Sequence, residues 1–234
     1  MILIKRGGEA LRYGIDRLDR GLTPMALLDL EAFRRAPVAR DPFMFTVVPG
    51  FVQPAEAAAI RGDFPAIAYP GLLPVEATTF GPVFGALIEE LQSEKVARAF
   101  SQAFDIDLVG RSTMITVRGR CQERDGRIHT DSTTKVVTAL LYFNDAWEAE
   151  GGRLRLLRRA DDLNDMIAEA PPNSGTLVAF RRSDCSFHGH EPFVGVRRYV
   201  MINWMASTFA ARRELLRHRI SAGVKRTFAH AETD

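Results

Sequence analysis

Arg127-Ile128-His129-Thr130-Asp131-Ser132 is the stretch on which the reading of this chain turns. One residue separates the histidine from the aspartate. In an extended segment side chains alternate with a period of two, so both leave the same face. An imidazole beside a carboxylate suits a divalent iron, and one further histidine would complete a set that leaves three coordination positions open. His-X-Asp alone is a weak signal, since a surface histidine next to a turn aspartate also produces it.

Working outward, a second histidine block is Ser186-Phe187-His188-Gly189-His190-Glu191-Pro192-Phe193. His188 lies 59 residues after His129 (188 − 129), and Arg198 follows ten residues later (198 − 188). Arg198 opens an apolar run, Tyr199-Val200-Met201-Ile202-Asn203-Trp204. A guanidinium pointing into a barrel from such a strand is expensive to bury unpaired. A dicarboxylate ligand would resolve that cost, one carboxylate taken by the guanidinium fork and the other end of the molecule chelating a metal.

Composition bounds the alternatives. The 234 residues are enough for one sizeable core, and 46% apolar with 26% charged residues is ordinary for a soluble globular protein. A net charge of +2 argues against a nucleic-acid or membrane-surface partner. The longest strongly apolar run, Val136 to Phe143, falls far short of the roughly eighteen residues of a membrane span. The opening MILIKRGGEA lacks the apolar core of a signal peptide, and two cysteines, Cys121 and Cys185, make no disulfide framework. A reducing cytoplasm is the expected location.

Residues 1–110 read mainly as helices with short strands. Leu27 to Phe33 has helical spacing, Pro54 opens a helix running to Arg61, and Gly85 to Phe104 forms an amphipathic helix or helix pair. Phe43 to Val48 reads as a strand closed by Pro49-Gly50. Beyond Asp107 come short β-rich runs: Thr113–Val117, Val136–Phe143, Arg153–Leu157, Thr176–Phe180 and Tyr199–Met205. Turn chemistry separates them, including Asp125-Gly126 and Glu150-Gly151-Gly152. The pattern predicts a mainly β protein with flanking helices: an N-terminal region 1–110 packing on a jelly-roll core 111–207, then a basic helical segment 208–234. That last segment, Ala211 to Arg226, reads as a solvated helix face rather than a nucleic-acid contact.

The C-terminal half resembles the prolyl-4-hydroxylase-like branch of the 2-oxoglutarate- and Fe(II)-dependent oxygenases, whose core is a double-stranded β-helix. The resemblance rests on His129-Thr130-Asp131, Tyr142-Phe143-Asn144, Gly151-Gly152-Arg153-Leu154, Gly175-Thr176-Leu177-Val178-Ala179-Phe180, His188 and Arg198, in the family's order over roughly residues 111–207. It implies a dioxygenase, by default a hydroxylase, with Fe(II), 2-oxoglutarate and O2. His129, Asp131 and His188 would ligate iron, Arg198 would bind the distal carboxylate of 2-oxoglutarate, and Tyr142 would hydrogen-bond the same group. Halogenation is disfavoured because Asp131 is present, and nucleic-acid dealkylation because Trp204 stands where that branch has a second arginine.

Several readings stay open at this level. Tyr142 is either a co-substrate ligand or a core tyrosine with a backbone partner. His190 faces the same way as His188, but the family spacing to Arg198 and Pro192 selects His188; His190 is then a substrate-side or a structural histidine. Many relatives carry a tyrosine on the strand before His-X-Asp, where this chain has Arg118-Gly119-Arg120. Arg118 and Arg120 either meet an anionic substrate or are solvated at the strand end. The substrate, a small molecule or a protein side chain, and the oligomeric state are not legible. A non-catalytic jelly-roll module binding a metal or ligand is the alternative class.

Overall fold

The structure, a computed structural model, describes residues 26–209 together with 211, 213, 214 and 216, and the backbone of two short strands near the N-terminus. Those two are β1 (Lys5–Arg6) and β2 (Glu9–Ala10), paired antiparallel. Then follow α1 (Leu30–Arg35), β3 (Phe45–Val48), α2 (Pro54–Gly62), β4 (Leu73–Pro74), α3 (Pro82–Leu91) and α4 (Glu94–Phe104). The helices start where local chemistry satisfies their free N–H groups. Asp29 accepts from Ala32 N at 2.8 Å to cap α1, Ser93 accepts from Val96 N at 3.3 Å to cap α4, and proline opens α2 and α3. The expected helix run Gly85–Phe104 is therefore a pair, broken at Gln92-Ser93.

The second half is the expected series of strands, with two additions: β5 (Thr113–Cys121), β6 (Lys135–Tyr142), β7 (Leu154–Leu157), β8 (Met166–Ala170), β9 (Leu177–Arg181), β10 (His188–Gly189) and β11 (Gly195–Met205). Sequence reading missed β8, whose residues are largely exposed or half-buried, and β10, which is two residues long. Six strands form one antiparallel sheet in the order β3-β9-β6-β11-β5-β4, and three form another, β10-β7-β8. This is the double-stranded β-helix. The N-terminal region does more than pack against it, since β3 and β4 supply both edges of the larger sheet.

Strand alternation divides the large sheet between two cores. Its outer face, with Ile115, Val117, Val137, Ala139, Leu141, Val200, Ile202 and Trp204, packs on helix residues such as Ile60, Phe84, Leu87, Val96, Phe100 and Phe104. Phe100 stacks on Phe33 at 4.3 Å and lies 4.8 Å from the Trp204 ring. The inner face, with Leu140, Tyr142, Val178, Phe180, Tyr199 and Met201, meets Leu154, Leu156 and Ala170 of the small sheet. The helices thus back one face of the large sheet, and the other face is free to line a binding chamber. Both cysteines are free thiols, and Cys185 sits with its Sγ 3.2 Å from the Pro42 carbonyl, a packing role. Apart from 211, 213, 214 and 216, the basic segment expected over 211–226 lies outside the described residues.

Candidate active site

His129, Asp131 and His188 converge, each offering a ligand atom, and those atoms all lie within 4.8 Å of one another. Backbone pairing brings them together. His129 and His188 form an antiparallel bridge, each N–H donating to the other's carbonyl at 3.0 Å, which sets the imidazole centroids 4.3 Å apart. The Nδ1 of His129 lies 2.8 Å from the Arg127 carbonyl and that of His188 lies 3.0 Å from the Ser186 carbonyl. A carbonyl only accepts, so each Nδ1 carries the proton and each Nε2 presents a lone pair, the tautomer a metal needs. Burial pushes the His188 imidazole down to about 4, with the neighbouring His129 adding to it, so His188 is neutral at ordinary pH. His129 is exposed and His188 is buried, so the cluster opens to solvent on the His129 side.

Burial alone would raise the Asp131 carboxyl. The Lys135 ammonium, His188 and hydrogen bonds from Lys135 and Thr138 outweigh it and hold the group down to about 2. The Thr138 hydroxyl lies 2.5 Å from Asp131 Oδ2 and 2.9 Å from the Asn203 amide. A carboxylate only accepts, so Thr138's single proton goes to Asp131, and Asn203 must turn its NH2 towards the threonine oxygen. Lys135, Thr138 and Asn203 were not singled out from sequence. Thr138 shares the parity of Leu140 and Tyr142 on β6 and Asn203 that of Met201 on β11, so strand alternation was the signal that could have found those two; Lys135 at the opening of β6 offers none.

The co-substrate arginine is a correction. Sequence spacing selected Arg198, but the guanidinium inside the barrel belongs to Arg197, which is 2% exposed. Arg197 Nε donates to the Gly152 carbonyl at 2.7 Å, its Nη2 lies 3.3 Å from the Tyr142 hydroxyl, and its Cζ sits 5.3 Å and 5.2 Å from the Tyr142 and Tyr199 ring centroids. The reason is alternation: β11 begins at Gly195, Tyr199 and Met201 face the inner core, and Arg197 shares their parity. Arg198 is half-buried and held by its backbone, its N–H donating to Asn144 Oδ1 at 2.6 Å and its carbonyl accepting from Asn144 Nδ2 at 3.1 Å. The Asn of the Tyr-Phe-Asn motif thus clamps the irregular start of β11, where the register shifts between Val196 and Tyr199.

Tyr142 is fully buried beside Arg197, and burial pushes its hydroxyl up to about 12. It accepts from Arg197, so its own proton is available to a ligand. Among the described residues no carboxylate reaches Arg197 within ion-pair distance. A buried cation without an acid is the feature that a carboxylate ligand would complete.

Arg118 lies on β5, the strand before His-X-Asp, and is not solvated at its end: 11% of its side chain is exposed, and it is ion-paired to Asp125 and 5.9 Å from the Tyr199 ring. Arg120 is half-buried on the same strand, opposite Val196. His190 is buried, its Nδ1 lies 2.8 Å from the Glu191 carbonyl, and burial, then Arg197 and Arg118, push it down to about 4. It forms part of the wall of a pocket of about 440 Å³ beneath the turn 123–127. Gly126 packs directly on this histidine: a Cβ there would come within 2.4 Å of Nδ1, and its φ of +94° is in any case glycine's territory.

Four buried side-chain atoms among the described residues lack a partner, and three of them are Thr116 Oγ1, Arg118 Nε and Asn203 Nδ2. Pairing Thr116 with Met201, Arg118 with Tyr199 and Asn203 with Met114 puts all three on one inner wall formed by β5 and β11. Whichever way the Asn203 amide is turned, one of its ends stays unpaired. An apolar chamber would not keep such groups; a chamber for a polar ligand would.

Residues 119–206 match the family model of the 2OG-Fe(II) oxygenase superfamily. The segment carrying the triad, Tyr142 and Arg197 therefore belongs to that superfamily. No curated protein matches the chain. Among solved structures, a prolyl-4-hydroxylase of Pseudomonas putida is 16% identical with a TM-score of 0.51, over 75% of this chain and 90% of that one. A viral collagen prolyl hydroxylase of Paramecium bursaria Chlorella virus-1 is 15% identical at 0.49, over 70% and 96% of the two chains. HygX of Streptomyces hygroscopicus is 16% identical at 0.48, over 70% and 82%. The fold is shared with the Pseudomonas putida prolyl-4-hydroxylase, and the matched segment with its His-Asp-His cluster is that of a 2-oxoglutarate- and Fe(II)-dependent oxygenase.

Proposed function

We propose that His129, Asp131 and His188 hold Fe(II), and that Arg197 and Tyr142 receive the distal carboxylate of 2-oxoglutarate within the same barrel. The observation that carries this is the pairing, on one inner face, of a three-ligand cluster with a buried arginine that has no acid of its own. The donor set fits the metal: two neutral imidazoles with bare Nε2 atoms and an ionised carboxylate leave room for small ligands. The Arg197 fork and the Tyr142 hydroxyl fit a carboxylate, and Arg198 has no such role.

When bound, iron, 2-oxoglutarate and O2 would supply the oxidising chemistry: one oxygen atom of O2 ends in succinate as 2-oxoglutarate loses carbon dioxide, and the other is inserted into a substrate C–H bond. The chain's own residues do the rest. Arg127 and Ser186 hold the two imidazoles by their Nδ1 protons, Thr138 and Lys135 orient the carboxylate, and the inner core of Phe180, Leu140, Val178 and Met201 keeps bulk water from the chamber. Substrate enters from the exposed His129 side. The unpaired donors of Arg118 and Thr116 favour a substrate offering carboxylate or carbonyl oxygens. Arg120 lies on β5 opposite Val196, two residues beyond Arg118, and His190 is a support fixed by Glu191 and Gly126.

The test is anaerobic addition of Fe(II) and 2-oxoglutarate to the full chain, which should give a weak visible absorption band, followed by succinate release when oxygen is admitted. A screen of amino acids, small carboxylic acids and peptides, scored by stimulated succinate formation, then reads the substrate class. A protein that binds neither the metal nor 2-oxoglutarate would return the barrel to a binding module.

A further inference from the structure

Lys135 is a buried group of which the assignment above uses only the hydrogen bond to Asp131 and not the charge. Its Nζ lies 2.7 Å from Asp131 Oδ1, and the two side chains are only 9% and 7% exposed. The contact is built in: Lys135 opens β6 opposite Met205, and its backbone N–H closes a turn onto the Ser132 carbonyl at 3.0 Å. Asp131 needs no ammonium for its hydrogen bonding to be satisfied, because Thr138 already donates to Oδ2 and a metal would take a lone pair of the carboxylate. Burying a lysine also costs desolvation that a neutral donor would avoid. A third hydrogen bond is a poor return for a buried positive charge beside a metal site.

Charge counting shows what the lysine adds. A divalent ion with Asp131 and two neutral imidazoles carries a net +1, and Lys135 raises the cluster to +2. A permanent cation at this place opposes the metal and attracts a dianion, and in a water-poor chamber both effects are strong. We propose that Lys135 is a positioning and charge-setting residue that trades metal affinity for affinity towards the anionic co-substrate. It keeps Asp131 aimed through Oδ1 and makes the metal-loaded site a better receptor for the metal-proximal, carboxylate-bearing end of 2-oxoglutarate, while Arg197 takes the far end. The inference rests on the metal and co-substrate assignment above.

The role has a signature that a scaffolding lysine lacks, because its two effects have opposite signs. The experiment titrates the full-length protein with Mn(II), a redox-inert probe, and then titrates the Mn(II)-loaded protein with 2-oxoglutarate, both by calorimetry. Lys135→Met, which fills the space without charge, should bind Mn(II) as tightly as the wild type or more tightly, and 2-oxoglutarate about tenfold more weakly. Lys135→Arg should recover 2-oxoglutarate affinity. Lys135→Gln, which keeps a donor for Asp131 but no charge, should behave like the methionine variant and serves in its place if that variant does not fold. Parallel weakening of metal and 2-oxoglutarate in the neutral variants, or unchanged 2-oxoglutarate affinity, overturns the proposal. A wild-type protein that takes up neither probe overturns the underlying assignment instead, so the two failures are distinct.

Discussion

Replacing Arg197 by methionine is the perturbation that separates the structural assignment from the spacing rule. A guanidinium has five N–H donors; Arg197 directs one at the Gly152 carbonyl and one at the Tyr142 hydroxyl, which leaves three for a ligand (5 − 2). Two charge-assisted bonds to a carboxylate, at roughly 1.5–3 kcal/mol each, put the loss of 2-oxoglutarate affinity at about 3–6 kcal/mol, on the order of a hundredfold or more. Stability should move little. The variant forfeits two hydrogen bonds and two ring contacts, but it also removes a buried cation without an acid partner, and these effects offset to within about 2 kcal/mol. The assay is a calorimetric titration of the Mn(II)-loaded protein with 2-oxoglutarate, with a thermal melt run alongside. Arg197→Lys should weaken binding by about tenfold, because it keeps the charge and loses the fork. Arg198→Ala should leave affinity within a few-fold of wild type, on the order of 0.5 kcal/mol for a half-buried side chain outside the site. Retained affinity in Arg197→Met together with lost affinity in Arg198→Ala would refute the reasoning from strand alternation.

The other expectations follow from the same geometry. Single alanine replacements of His129, Asp131 or His188 should each weaken Mn(II) binding by at least about tenfold, whereas His190→Ala should retain it; a dead His190 variant beside a live His188 variant would reverse the ligand assignment. Tyr142→Phe should cost about 1.5–3 kcal/mol of 2-oxoglutarate binding if its proton reaches the carboxylate, and an unchanged affinity would return Tyr142 to the core. Gly126→Ala should destabilise the protein by about 1–3 kcal/mol in urea denaturation, because the added Cβ meets His190 at 2.4 Å and the backbone has a φ of +94°. Phe100→Ala, at a fully buried ring stacked on Phe33, should cost about 3–5 kcal/mol while leaving metal affinity unchanged, since it lies on the opposite face of the large sheet from the site.

Local covalent geometry made much of this protein legible in its sequence. Period-two alternation puts His129 and Asp131 on one side of an extended segment, prolines open α2 and α3 where the first N–H groups have no helical partner, and glycine-rich turns cut the second half into short strands. These depend on neighbours a few residues apart, so a linear reading reaches them. The order of the motifs was enough to identify the superfamily and the two histidines that meet. What the linear reading could not reach depends on register and on where a strand begins. Arg197 and Arg198 are adjacent and chemically identical. Only the pairing of Tyr199 with Tyr142, and the Asn144 clamp on the Arg198 backbone, decide which of them points inward. Arg118 could equally have been solvated at a strand end; β5 runs on through Cys121 and turns it into the chamber. Lys135 carries no motif at all. Its contact with Asp131 exists because the turn at Ser132 and the opening of β6 fold one onto the other, and a burial cost is visible only once the surrounding walls are in place.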